Sequence, residues 1–245
     1  MFKCPIRTNY IIEHTWYKKY VKNALCKKIT YAMALLLLLH LSSNQLHANN
    51  TPQTLSYVNK QQITQLVAKY NSRAGKRLSL WNKMMQKANK LEELQQLKAV
   101  NDYFNRIKYL RDKKHWGKND YWSTIFEFIG SGAGDCEDFA TAKYFSLKLL
   151  GIADEKLELS YVKLTSPQKK YDANHMVLSY FTSPDAVPIL LDNVNLRLKL
   201  ATERPDITPV FSFNASGLLK SKHKGNPSKT IQYNLAAWRK LMQRN

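Results

Sequence analysis

Gly134-Asp135-Cys136-Glu137-Asp138-Phe139-Ala140 carries the single cysteine that follows residue 26. It comes directly after the glycine cluster Gly130-Ser131-Gly132-Ala133-Gly134. Beyond it Phe139, Ala140, Lys143 (by its stem), Tyr144, Leu147 and Leu150 recur on one face, which predicts a helix from Cys136 to Leu150 stopped by Gly151. Gly134 lets the chain turn sharply and leaves Cys136 in the first helical turn. Unpaired N–H groups and the positive end of the helix dipole favour a thiolate there, the route by which a cysteine pKa falls from about 8.5 into a reactive range. The same N–H groups can serve a developing oxyanion.

Downstream the apolar period changes from 3.6 to two. Residues 157–164, 175–181 and 189–194 read as strands, with turns at Ser166-Pro167-Gln168-Lys169-Lys170 and Thr182-Ser183-Pro184-Asp185. Short connections favour antiparallel neighbours. His175 opens the second of these strands, sharing a face with Val177 and Ser179. Asp192 lies in the third, after Ile189-Leu190-Leu191. Paired strands can bring His175 and Asp192 within hydrogen-bond reach, and a helix packed across them can bring Cys136 to the imidazole. The expected roles are Cys136 as nucleophile, His175 as base then acid, and Asp192 as the group that orients and stabilises the imidazolium. Taken singly, a cysteine opening a helix also suits a core and a strand histidine a satisfied structural site. Asp192 resists that treatment, because a carboxylate in an apolar run is costly to bury without a partner.

Upstream, residues 54–72 read as an amphipathic helix on Leu55, Val58, Ile63, Leu66, Val67 and Tyr70, broken at Asn71-Ser72-Arg73-Ala74-Gly75. A longer helix is expected from about Leu78 to Leu110, and residues 112–121 read as a polar and aromatic connector. Pro209-Val210-Phe211-Ser212-Phe213 reads as one more short strand, and residues 220–227 as a basic solvated loop. Helices first and strands afterwards give an α+β domain.

The formal net charge is +20. Lys3, Arg7, Lys18, Lys19, Lys22, Lys27 and Lys28 precede the apolar run 32–41, and Leu46-His47-Ala48 offers a small-residue exit. This is the layout of a cleavable secretory signal over residues 1–48, and ten apolar residues fall short of the roughly 20 that span a bilayer. The basic region is long for a signal, so the start site within it stays open. Removal of residues 1–48 takes away those seven cations and Glu13, leaving 31 Lys/Arg, 17 Asp/Glu and a net charge of +14 over 49–245. An exported basic domain suits anionic phospholipid, cell-wall polymer or acidic proteins rather than nucleic acid, and weak contact with an anionic membrane surface is expected. Cys4 and Cys26 leave with the signal, so the remaining thiol has no internal partner.

Asp135, Glu137 and Asp138 suit a helix N-terminus but should raise the pKa of the thiol between them. A hard cation such as Ca²⁺ would cancel that charge.

The segment 134–140 with Ala142-Lys143-Tyr144, together with Leu159-Ser160-Tyr161-Val162-Lys163, Asn174-His175-Met176-Val177-Leu178, Leu191-Asp192-Asn193 and residues 209–214, resembles the bacterial transglutaminase-like cysteine proteases. Their best-known branch is the LapG-type periplasmic proteases. The resemblance covers about Asp120 to Leu218 and departs at Ser123-Thr124-Ile125. It implies a papain/transglutaminase-like core, in which a helical N-terminal region (about 54–112) precedes a nucleophile-bearing helix on an antiparallel sheet. It implies Cys136, His175 and Asp192 as a triad, with calcium held by Asp135 and Glu137 and less surely by Asp138. The implied activity is periplasmic, calcium-dependent cleavage of the N-terminal region of a large RTX-type adhesin, releasing it and dispersing biofilm. The implied inhibitor is the periplasmic domain of an inner-membrane cyclic-di-GMP receptor. The residues themselves also leave open transglutaminase or cell-wall amide exchange on the same core, or a non-catalytic basic binding module.

Overall fold

The computed structural model describes residues 56–165, 172–221 and 229–244. The signal read over 1–48, the turn at 166–170 and most of the basic loop, 222–227, lie outside the described residues. Three helices come first: α1 (Lys60–Lys69), α2 (Ser72–Ala88) and α3 (Glu93–Phe104). Asn59 starts α1 through a capping box with Gln62, and the Asn71 side chain accepts from Ala74 N to start α2. The break expected across residues 71–75 therefore shrinks to a single capping asparagine, and Gly75 lies inside a helix.

The single long helix expected from 78 to 110 is two helices. The buried stripe of α2 is Ala74, Leu78, Trp81, Met85 and Ala88, and that of α3 is Leu97, Val100 and Phe104. Leu91 and Leu94, which fitted a continuous stripe, are 41% and 53% exposed, because the chain turns at residues 89–92. That turn lets α3 pack back against α2.

After a two-residue strand β1 (Lys108–Tyr109) come the short helix α4 (Asp112–His115), α5 (Ile125–Ser131), β2 (Ala133–Gly134) and α6 (Cys136–Leu149). Thr124 and Glu127 form the capping box of α5, which accounts for the Ser123-Thr124-Ile125 departure locally. Gly132 ends α5 at φ 73, a left-handed conformation that glycine adopts without strain. β1 and β2 pair in parallel, so the strand that leads into Cys136 is held from the side.

The main sheet is antiparallel, in the order β6-β5-β4-β3-β7-β8, formed by β3 (Leu157–Thr165), β4 (Asp172–Tyr180), β5 (Ile189–Leu191), β6 (Lys199–Leu200), β7 (Ile207–Asn214) and β8 (Gly217–Ser221). Leu157, Leu159, Met176, Leu178, Leu191, Phe211 and Phe213 belong to the same core cluster as Phe139, Ala140, Tyr144 and Leu147 of α6. At about 1.5–3 kcal/mol for each large side chain buried, this layer dominates the fold. A C-terminal helix α7 (Lys229–Met242), absent from the sequence reading along with β6 and β8, packs Trp238 against Tyr144, Phe145 and Phe213.

Side chains from the helical region brace the half that carries Cys136. Trp81 Nε1 donates to Ser146 Oγ on α6 (3.1 Å), and Arg77 donates to the carbonyls of Ile129 and Gly130 at the end of α5 (both 2.6 Å). Phe104 stacks on Phe128, which meets Phe139 edge to face, linking α3, α5 and α6.

Gly134 is the tightest point of the approach to Cys136. A methyl group there would strike Asp138 Oδ2 and lie 2.7 Å from Phe128 Cε2. Gly134→Ala should therefore lose about 1–3 kcal/mol by overpacking. Urea unfolding should show this as a lowered midpoint at unchanged slope.

Candidate active site

Cys136 is the first residue of α6, as the sequence predicts. Asp138 holds that helix mouth together. Its Oδ2 accepts from Asp135 N (3.2 Å), and its Oδ1 accepts from both N and Oγ of Ser123 (2.8 and 2.7 Å). Cys136 is half-buried. Its thiol donates to Glu137 Oε2 at 3.0 Å, and its sulfur receives the N–H of Met176, the neighbour of His175 on β4. Among the described residues no hydrogen bond joins Cys136 to His175.

Burial, then the charges of Glu137 and Asp135, push the Cys136 thiol well above its ordinary pKa. This reverses the expectation of a dipole-lowered thiol. The dipole supplies about half a charge at the helix end, and two carboxylates beside a desolvated sulfur outweigh it.

His175 and Asp192 meet as the strand pairing suggests. His175 Nε2 and Asp192 Oδ1 are 2.8 Å apart, both residues being buried (5% and 1% exposed). Asp192 lies one residue past β5 rather than within a strand running to 194. Its carboxylate accepts from Val194 N (2.9 Å) and Asn195 N (3.3 Å), a local turn that competes with strand continuation. The second oxygen also takes Arg204 Nη1 at 2.8 Å, while Arg204 grips Asp206 through Nε and Nη2. Burial alone would raise the Asp192 pKa, but His175, the Val194 N–H and Arg204 hold it well below the carboxylate range. The Asp192 main-chain carbonyl accepts from Asn105 Nδ2 (2.9 Å) and Lys143 Nζ (3.1 Å).

The acids around the cysteine form a larger group than the sequence reading named. Carboxylate oxygens of Asp112, Asp120 and Glu137 lie within 4.8 Å of one another, and so do those of Asp112, Asp135 and Asp138. Oδ1 of Asp112, of Asp120 and of Asp135 is buried with no hydrogen-bond partner. Buried acceptors are almost always satisfied, so orphaned oxygens in two clusters that share Asp112 fit a hard cation, and an all-oxygen donor set suits Ca²⁺. Asp135 and Glu137, the ligands expected from the resemblance, belong to this group. Asp138 contributes to it although both its oxygens already serve the helix mouth.

Asp112 and Asp120 sit in what read as a connector. Edge contact of His115 with Trp116 (4.3 Å between ring centres) and a tilted contact of Trp116 with Tyr121 (5.0 Å) fold that segment back on itself. The signal available was that these are the only two acids between Asp102 and Glu127, set among lysines and aromatics. Arg204 had no such signal, since neither its neighbours nor its spacing connects it to Asp192.

A profile of the bacterial transglutaminase-like cysteine proteinases, termed BTLCP, matches residues 51–205. The chain belongs to this family. The BTLCP assignment agrees with the α+β transglutaminase-like core described above. Among solved structures the chain resembles LapG of Legionella pneumophila at 33% identity, covering 78% of this chain and 99% of that one with a TM-score of 0.62. A calcium-bound form of the Legionella protein aligns at 35% identity over 76% of this chain and 99% of that one (TM-score 0.62). An EGTA-treated form gives 33% identity over 78% and 99% (TM-score 0.63). No curated protein matches the chain.

Burial and mutual repulsion raise Asp112 to about 6, Glu137 to about 7 and Asp135 to about 9. Their unfolded values lie near 4. Between about pH 4 and 9 the folded BTLCP domain thus binds more protons than the unfolded chain, and its stability falls as pH rises through that window. In EGTA its thermal midpoint should be lower at pH 8 than at pH 5. Asp112→Asn should raise the midpoint at pH 8 by removing one repelling charge. A midpoint in EGTA that rises from pH 5 to pH 8 would contradict the cluster's electrostatics.

Proposed function

We propose that this BTLCP protein is an exported, calcium-dependent cysteine endopeptidase using Cys136, His175 and Asp192. The observation that carries the reading is the buried His175–Asp192 pair, locked in place by Arg204 and set on the strand whose next N–H touches Cys136 Sγ. With Nε2 engaged by Asp192, Nδ1 is the ring nitrogen left to take the thiol proton. The thiolate adds to a peptide carbonyl, and backbone N–H groups at the mouth of α6 face the oxyanion. His175 returns the proton to the departing amine, leaving an acyl-enzyme on Cys136. Water, deprotonated by the same imidazole, then adds to the acyl carbon and releases the carboxylate and the free thiol. Asp192 stabilises the imidazolium in both halves.

Asp112, Asp120, Asp135 and Glu137 would hold the calcium, with Asp138 behind them. When bound, the ion supplies positive charge that offsets the carboxylates now raising the thiol pKa and competes for the Glu137 oxygen that now takes the thiol hydrogen. The calcium-bound Legionella relative supports calcium as the ion.

In the same reading the substrate is the N-terminal region of a large RTX-type surface adhesin, whose cleavage releases it and disperses biofilm. The protein acts in the periplasm after removal of residues 1–48. The periplasmic domain of an inner-membrane cyclic-di-GMP receptor restrains it. The family membership, the leader pattern and the basic mature charge support these steps.

Purified protein mixed with the adhesin N-terminal segment should cleave it in calcium and stop in EGTA. Cys136→Ala should abolish cleavage while changing stability by no more than about 1–2 kcal/mol. Full activity in that variant would end the proposal, and indifference to EGTA would remove calcium from it. Mass spectrometry separates hydrolysis, which adds water, from amide exchange, which adds an amine.

A further inference from the structure

Lys143 lies on α6 seven positions after Cys136, about two turns and roughly 10 Å along the axis. It is fully buried (0% exposed) and takes part in no ion pair among the described residues. Its Nζ instead donates to the main-chain carbonyl of Asp192 at 3.1 Å, with the Phe139 ring nearby (5.9 Å to the centroid). Burying an amine with no carboxylate in ion-pair contact is unfavourable, the attraction of Asp192 and Asp102 offsetting only part of it, and an apolar side chain of similar volume often stabilises such a site. The packing of α6 does not call for a lysine here, which leaves its contact with Asp192 to be explained.

Among the described residues that contact is the one direct hydrogen bond between α6 and the loop after β5, beside the separate link from Met176 N–H on β4 to Cys136 Sγ. Asp192 has left β5, so no neighbouring strand takes its carbonyl. The carbonyl has two donors, Lys143 on the helix that carries Cys136 and Asn105, which caps α3. The same residue's carboxylate orients His175. A slide or rotation of α6 relative to the loop after β5 would break the Lys143 bond. Burial presses the Lys143 pKa down to about 7 against the pull of Asp192, yet Nζ remains a donor in either protonation state.

We propose that Lys143 is a positioning residue, fixing the nucleophile's helix to the main chain of Asp192 so that Cys136 and His175 stay in register. This rests on the proteolytic reading of Cys136, His175 and Asp192. Misplacement of reacting groups by about 1 Å can cost on the order of a hundredfold in rate.

The test compares wild type, Lys143→Met, Lys143→Ala, Asn105→Ala and Cys136→Ser in calcium buffer. Each is assayed on a quenched-fluorescent peptide that the wild type cuts, for iodoacetamide labelling of Cys136, and for thermal midpoint. Lys143→Met should lower kcat about ten- to a hundredfold, leave KM within about twofold, and keep or raise the midpoint. Adding n-propylamine, the piece deleted in Lys143→Ala, should restore activity to that variant and leave Lys143→Met unmoved. Asn105→Ala should lower kcat less, and combining it with Lys143→Met should cost less than the two separately. Wild-type kcat in Lys143→Met, or a kcat loss that only tracks a falling midpoint, would overturn the proposal. If Lys143→Met does not fold, propylamine rescue of Lys143→Ala decides. Should the wild type cut no peptide, the proteolytic reading fails by itself, and the labelling rate of Cys136 still decides. Slower labelling in Lys143→Met supports the tether, and an unchanged rate overturns it.

Discussion

A carboxylate placed in an apolar interior must be met on every side, and Asp192 shows what that requires. Its two oxygens take an imidazole nitrogen, a guanidinium and two backbone N–H groups, and its carbonyl takes two side-chain donors. Those partners come from β4, the turn after β5, the 3₁₀ turn at Ala201–Glu203 with its following arginine, α3 and α6. Satisfying one buried charge therefore gathers most of the elements that surround Cys136. Arg204 in turn leans on Asp206 just before β7, so the network extends to a third strand of the sheet. His175 inherits its orientation from this arrangement.

Negative charge has the opposite standing a few residues away. The mouth of α6 gathers Asp112, Asp120, Asp135, Glu137 and Asp138 into two clusters that share Asp112, and three of their oxygens have no hydrogen-bond partner. Local capping explains Asp138, which accepts three hydrogen bonds. It does not explain the others. The protein thus holds one acid in a fully compensated state and a group of acids in a strained one. That contrast separates the compensated acid beside His175 from the acids that the proposed calcium would meet.

Much of this was visible in the residues. Cys136 as the start of a helix stopped by Gly151, and β3 and β4 with His175 leading into Met176-Val177-Leu178, follow from period, glycine placement and composition. Asp192 stood out because its charge sat in an apolar run, though its escape from the strand depended on side-chain hydrogen bonds to Val194 and Asn195. The helices at 72–88 and 93–104 merged in the reading because Leu91 and Leu94 continue the stripe in phase while the chain itself turns. Asp112, Asp120, Arg204 and the tether at Lys143 depend on contacts between segments far apart in sequence. No local pattern records such contacts, and Lys143 read only as a helix residue burying its stem. The C-terminal helix does carry a helical period, with Leu235, Trp238 and Leu241 on its core side, and the reading passed over it.

The bracing of α5 and α6 by the first two long helices bears on how such a protein can be inherited. Arg77 ties down the carbonyls that end α5, Trp81 grips Ser146, and Asn105 reaches Asp192. Residues 56–105 are therefore joined by hydrogen bonds to the cysteine-bearing half rather than appended to it. Gene rearrangement that exchanged this segment for another helical preface would remove three struts at once. The two halves are constrained to descend together, and the seam near residue 112 marks a change of architecture rather than a place where the lineage can be cut.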